Sequence, residues 1–178
     1  GALAVARALA DEGAEAWIKW PNDVLLGGKK VAGVLAEASW EGDRLDHVIL
    51  GIGVNVLAAS APDDQLVDFP ATSVEAFLGH PPDRFAVLAG ILRHIADLLT
   101  YLGSAKLLEA WESRLAYRGR PVSIFDGETQ LEGRVRGLGP SGCLLLEVGY
   151  GQVVEIHSGE MQLRPVDRHD ESATLGPR

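Results

Sequence analysis

The sequence predicts an α+β chain in two unequal parts: a larger part of β-meander and helices, then a small β-barrel. Three observations predict it. Between residues 16 and 56, short apolar runs alternate with glycine-rich and Asn/Asp-rich turns. Between residues 81 and 115, apolar side chains recur at helical spacing. After Gly119 that spacing gives way to short strand-like runs broken by Gly, Pro and Asp.

Residues 1–12 set Leu3, Ala6, Leu9 and Ala10 on one helical face, and Gly13 stands where a helix C-terminus favours glycine. Ala16–Trp20 reads as a short strand, because Pro21 disfavours helix at the residue before it. Pro21-Asn22-Asp23 is turn chemistry. Val24–Leu26, Gly27-Gly28 and Lys30–Trp40 form a hairpin with a glycine turn. Glu41-Gly42-Asp43 turns the chain again, and Leu45–Val56 is a further strand. A polar loop covers Ala58–Phe69, after which Thr72 or Ser73 can cap a short helix through Phe77.

Pro81-Pro82-Asp83 opens a longer helix whose apolar set is Phe85, Leu88, Ile91, Leu92, Ile95, Leu98, Leu99 and Leu102. Gly103 ends it. Ser104 caps a second amphipathic helix with Leu107, Leu108, Trp111 and Leu115. The barrel strands are expected at Pro121–Phe125, Gln130–Leu138, Gly142–Val148, Gln152–His157 and Met161–Leu163. The expected division is 1–118, 119–166 and a polar tail 167–178.

Hydrophobic residues make up 47% and charged residues 23%, which suits a packed core. The net charge of −9 argues against a phosphate-backbone surface and so against nucleic acid as a partner. No apolar run nears the ~20 residues that span a bilayer. The single cysteine, Cys143, fits a reducing compartment, and a cytoplasmic setting is the expectation. Gly1–Ala10 reads as a helix in progress and, with Arg7 inside it, not as a signal peptide, so the chain is expected to be the C-terminal part of a longer protein.

Against this acidic background, Lys19-Trp20-Pro21-Asn22-Asp23 and Lys29-Lys30-Val31-Ala32-Gly33-Val34-Leu35 form a cationic island around two tight turns. Three lysines and one carboxylate so placed suit a small anion, a carboxylate or a phosphate. Exposed hairpin lysines and a well-made turn are the plainer alternatives. Gly51, Gly53 and Asn55 alternate along one strand face, where glycines admit a flat ring and Asn offers a donor and an acceptor. This is no dinucleotide fingerprint, since Val56 replaces its third glycine.

KWPND, KKVAGVLAE, the Gly51-Ile52-Gly53-Val54-Asn55-Val56 strand and a barrel closing on His157-Ser158-Gly159-Glu160-Met161 together resemble the biotin protein ligases. The resemblance implies a catalytic domain related to class II aminoacyl-tRNA synthetases, with a mixed sheet and helices, followed by an SH3-like barrel. It also implies ATP, biotin and Mg²⁺, formation of biotinyl-5′-AMP, and transfer of biotin to a lysine of a biotin carboxyl carrier protein of a carboxylase. Lys30 would bridge the biotin carboxylate and the α-phosphate, with Gly33 and Leu35 in the biotin pocket. Lys19, Asn22, Asp23, Gly53 and Asn55 would arrange ATP. Asp23 would hold Mg²⁺ or orient Lys19 and Lys30.

Family members carry an arginine–glycine loop and a Ser-Thr-Asn segment ahead of the opening helix. Neither occurs in this sequence, so activity is expected of the longer protein. A lipoate or octanoate ligase or transferase of the same fold stays open, as does a non-catalytic carrier-docking module. The Leu45–Val56 strand is a candidate edge for a homodimer. His47, His80, His94, His157 and His169 lack metal-ligand spacing. Arg118, Arg120, Arg134 and Arg136 suit either an acidic carrier domain or a solvated barrel face.

Overall fold

The computed structural model describes residues 1–63, 67, 69–125, 130–157 and 162–165, the last four by backbone alone. Two compact units divide at Ala116/Tyr117, two residues before the expected boundary. The Asp126-Gly127 turn, Ser158–Met161, His169 and the 167–178 tail lie outside the described residues.

The first unit opens with α1 (Ala2–Asp11), and Gly13 follows it with φ of 85°. Four antiparallel strands come next: β1 (Trp17–Lys19), β2 (Asp23–Leu26), β3 (Lys29–Glu41) and β4 (Arg44–Val54), lying in the order β1-β2-β3-β4. Gly27 and Gly28 (φ 56° and 81°) make the two-residue turn between β2 and β3, a conformation that needs positive φ twice. The expected mixed sheet is an antiparallel one here. Parallel pairing enters only as isolated bridges, Ile18 to Leu115 and Lys30 to Ala71, among the described residues.

Three helices follow: α2 (Val74–Leu78), α3 (Arg84–Leu99) and α4 (Ala105–Glu112). Of the two candidate caps, Ser73 takes the role: its Oγ accepts from the Ala76 amide at 3.0 Å. Asp83 and Ser104 cap α3 and α4 in the same way. No helix among the described residues is long and apolar enough to cross a membrane.

The core lies where α1 and α3 pack beside the sheet. Leu3, Val5 and Leu9 are buried with Ile18, Val24, Leu26, Val31 and Val34. Each such side chain contributes about 1.5–3 kcal/mol on leaving water. The apolar set expected on α3 divides. Ile91 and Leu98 enter the core, joined by Val87 and Gly90, while Phe85, Leu88, Leu92 and Leu99 stand exposed. The cause is close packing at a small residue. A Cβ on Gly90 would sit 3.2 Å from that of Ala8, so the glycine side of α3 faces α1. β4 is an edge of the sheet, with Leu45, Val48, Ile49 and Leu50 exposed.

The second unit is a five-stranded antiparallel sheet of β5 (Pro121–Phe125), β6 (Gln130–Leu138), β7 (Leu144–Glu147), β8 (Val153–Ile156) and β9 (Gln162–Pro165). The order is β8-β7-β6-β5-β9, and among the described residues no strand pairing closes this sheet into the barrel expected. Alternation places Val122, Ile124, Leu144 and Leu146 inside, as a sheet with one covered face requires.

Candidate functional site

A single row of residues crosses the first sheet. Lys19 pairs with Asp23, Asp23 with Gly33, and Gly33 with Gly53. The connection that brings Lys19 and Asp23 opposite one another carries a cis Trp20–Pro21 bond, and Trp20 is buried.

Lys30 joins the row through an irregularity. In a regular ladder it would point with Ala32 and Val34 into the core. Instead β3 pairs Ala32 with Val24 but Lys30 with Leu25, leaving Val31 as the extra residue of a bulge. Bulges re-aim side chains, and this one turns Lys30 to the face of Gly33. Its ammonium lies 2.5 Å from Asp23 Oδ1, while the Lys19 ammonium donates to Asp23 Oδ2 at 3.0 Å.

One carboxylate therefore faces two ammonium groups, a local excess of one positive charge. The side chains of Lys19 and Asp23 are each 12% exposed, against 41% for Lys30. Lys30 is thus the member of the trio most open to an incoming anion.

Gly33 has a role that spacing alone does not reveal. A Cβ there would stand 3.3 Å from Lys30 Cε and 3.4 Å from its Nζ. The missing side chain lets Lys30 cross the sheet to Asp23. At Gly53, next in the row, a Cβ would meet nothing within 4 Å, so the surface beyond the lysines is bare backbone.

Asn22 and Asn55 stand outside the ion cluster. The Asn22 amide donates to the Val34 carbonyl at 2.8 Å, and the Val34 amide donates back to the Asn22 carbonyl at 3.0 Å. Asn55 Nδ2 donates to the Thr72 carbonyl at 3.1 Å. Leu35, opposite Gly51, is 60% exposed, and Lys29 is exposed too.

The segment Phe69–Thr72, read from sequence as loop and cap, belongs to the site. The Lys30 amide donates to the Pro70 carbonyl at 2.8 Å, and the Thr72 amide donates to the Lys30 carbonyl at 2.9 Å. The Phe69 ring lies 4.5 Å from the Lys19 ammonium. Phe69 is the one aromatic residue between Leu57 and Ser73, the only sequence signal that could have marked it.

Asp23 fits a metal poorly, since both its oxygens already face lysines. Among the described residues no three His, Cys, Asp or Glu side chains gather as a metal site. In the second unit, Arg134 donates to the Gly119 carbonyl and Arg136 pairs with Glu147, so these two arginines are engaged within their own unit.

Residues 1–55 match the Biotin/lipoate A/B protein ligase family, and residues 118–164 match the Biotin protein ligase C terminal domain. A biotin–[acetyl-CoA-carboxylase] ligase of Paracoccus denitrificans is 41% identical over 144 residues, which is 77% of this chain and 59% of the relative. The bifunctional ligase/repressor BirA of Bacillus subtilis is 35% identical over 156 residues, 82% of this chain and 46% of that protein. The chain thus spans about half the length of the curated relatives it matches.

Among solved structures, the biotin protein ligase of Aquifex aeolicus in complex with biotin and ATP superposes with a TM-score of 0.77 at 32% identity. That match covers 93% of this chain and 69% of the other. The same ligase in its apo form gives 0.79 at 33% identity, covering 93% and 72%. With both units matched and that identity sustained over more than two thirds of the Aquifex ligase, the chain belongs to the biotin protein ligase family.

Proposed function

We propose that this protein is a biotin–carrier-protein ligase. In the first step a biotin carboxylate oxygen attacks the α-phosphorus of ATP, the bond to pyrophosphate breaks, and biotinyl-5′-AMP forms. In the second, the amine of a carrier-protein lysine attacks the acyl carbon, AMP leaves and the amine loses a proton. Neither step needs a side-chain nucleophile. Both need two anions brought together and the developing negative charge stabilised.

The observation that carries this reading is the cluster of Lys19, Asp23 and Lys30 beside bare glycine backbone. Asp23 occupies both ammonium groups at 2.5 and 3.0 Å. An arriving carboxylate and phosphate would share Lys30 with it, and Lys30, a compact point charge on a flexible stem, suits that exchange. Gly53 leaves room for the ligand and Gly33 leaves the path by which Lys30 crosses to it, with Leu35 as apolar floor. Asn22 and Asn55 act on ATP by shaping the strand and strap around it. A magnesium ion accompanying ATP would rest on the phosphates, because the chain offers it no donor cluster among the described residues.

The second unit belongs to this reading as an SH3-like barrel. The acceptor is a biotin carboxyl carrier protein domain of a carboxylase, and the setting is the cytoplasm. Biotin is favoured over lipoate because the match over residues 118–164 is to a biotin ligase domain.

The test uses the complete protein with ATP, a carrier domain and an equimolar mixture of biotin and lipoate, with the carrier weighed by mass spectrometry. Biotin ligation adds a biotinyl mass to one lysine. A lipoyl adduct instead, or an unmodified carrier, would refute the reading.

A further inference from the structure

We propose that Phe69 is a positioning residue for the adenylation step: its ring holds the Lys19 ammonium against Asp23. The inference rests on the ligase reading above. Lys19 is a flexible side chain with its charge at the tip, and Asp23 Oδ2 fixes that tip at 3.0 Å. The Phe69 ring supplies a second contact, 4.5 Å from ring centre to ammonium. That is inside the ~6 Å range over which an aromatic face attracts a cation. With Lys19 only 12% exposed, the attraction acts away from bulk water, where it is strongest.

The ring is itself held. Pro70 and Thr72 are hydrogen-bonded to the two backbone groups of Lys30, and Asn55 clips the Thr72 carbonyl. One strap therefore connects the two lysines that share Asp23: it is bonded to the backbone of Lys30 and it caps the charge of Lys19. The consequence is chemical. If Lys19 leaves, Asp23 pairs with Lys30 alone, and the cation most open to a substrate anion becomes harder to draw away. Phe69 thus acts on the reaction through Lys19 and Asp23 rather than by touching the reacting atoms.

Ring and apolar bulk make different predictions, which separates this role from packing. Leucine fills similar space without an aromatic face, whereas tyrosine and tryptophan keep the face. In the complete protein, Phe69→Leu is expected to lower kcat for biotin-dependent adenylate formation about 10-fold, with the KM for biotin within about twofold. Phe69→Tyr and Phe69→Trp should stay within about threefold of the parent rate. In a Lys19→Gln background, Phe69→Leu should cost nothing further, because the charge it acts on is gone.

Thermal melting of each variant controls for folding. An equal loss in both backgrounds, a parent-like Phe69→Leu, or a Phe69→Trp as slow as Phe69→Leu with an unchanged melt would overturn this inference while the ligase reading stands. A parent protein that forms no adenylate would bring down both.

Discussion

Lys30 meets Asp23 at 2.5 Å by passing over the bare backbone of Gly33. Two local events make that contact: the bulge at Val31 turns the lysine to this face, and the glycine clears its path. Val31, Ala32 and Val34, next to Lys30 on the same strand, are buried in the core.

Replacing Gly33 by alanine tests this directly. A Cβ at 3.3–3.4 Å from the end of the Lys30 side chain forces a flexible group to give way, at small cost to folding. Gly33→Ala is expected to melt within a few degrees of the parent while adenylation falls about 10-fold, as when a preorganised charge is displaced. Single-turnover adenylate formation, read beside a thermal melt, checks it. A parent-like rate would show that the path over Gly33 is not needed.

Asn55→Ala removes the clip on the Thr72 carbonyl and loosens the strap bonded to Lys30. The expected result is a KM for ATP raised about 3- to 10-fold, the value of one hydrogen bond, with a smaller change for biotin. Initial rates over a grid of ATP and biotin concentrations separate the two. An unchanged KM for ATP would remove Asn55 from the nucleotide site.

A third expectation concerns α1 and α3. Asp11 Oδ2 lies 2.8 Å from His94 Nε2 and 2.6 Å from Arg93. The hydrogen bond with His94 first, then the charges of His94 and Arg93, hold the Asp11 carboxyl below its ordinary value. A carboxylate depressed in the folded state adds stability above its unfolded pKa, and the addition disappears as pH falls through the folded one. Asp11→Asn should therefore melt below the parent at neutral pH, with the gap closing below about pH 4. Melting curves from pH 7 to pH 2.5 would show it, and a gap that stays constant across that range would contradict the assignment.

Much of this arrangement could be read from residue order because it is local. The Gly27-Gly28 turn, the Pro21-Asn22-Asp23 connection, the helix start at Pro81-Pro82-Asp83, the cap at Ser104 and the strands β5 and β6 all follow from neighbours a few residues apart. What escaped is tertiary. The bulge depends on register between β2 and β3, and Gly33 reads as room for a ligand until Lys30 is seen lying over it. Phe69 reaches Lys19 across fifty residues of sequence, which no period announces. On α3 the apolar pattern was visible, yet Phe85, Leu88, Leu92 and Leu99 face outward, because Gly90 against Ala8 decides which side is covered.

The central claim is that the ammonium of Lys30, held by Asp23 and cleared by Gly33, is the cation on which adenylation depends. Biotin-dependent exchange of labelled pyrophosphate into ATP measures that step apart from transfer to the carrier. The parent protein should exchange, and Lys30→Ala, folded by its thermal melt, should exchange about 10²-fold more slowly. Exchange at the parent rate by Lys30→Ala would contradict the account.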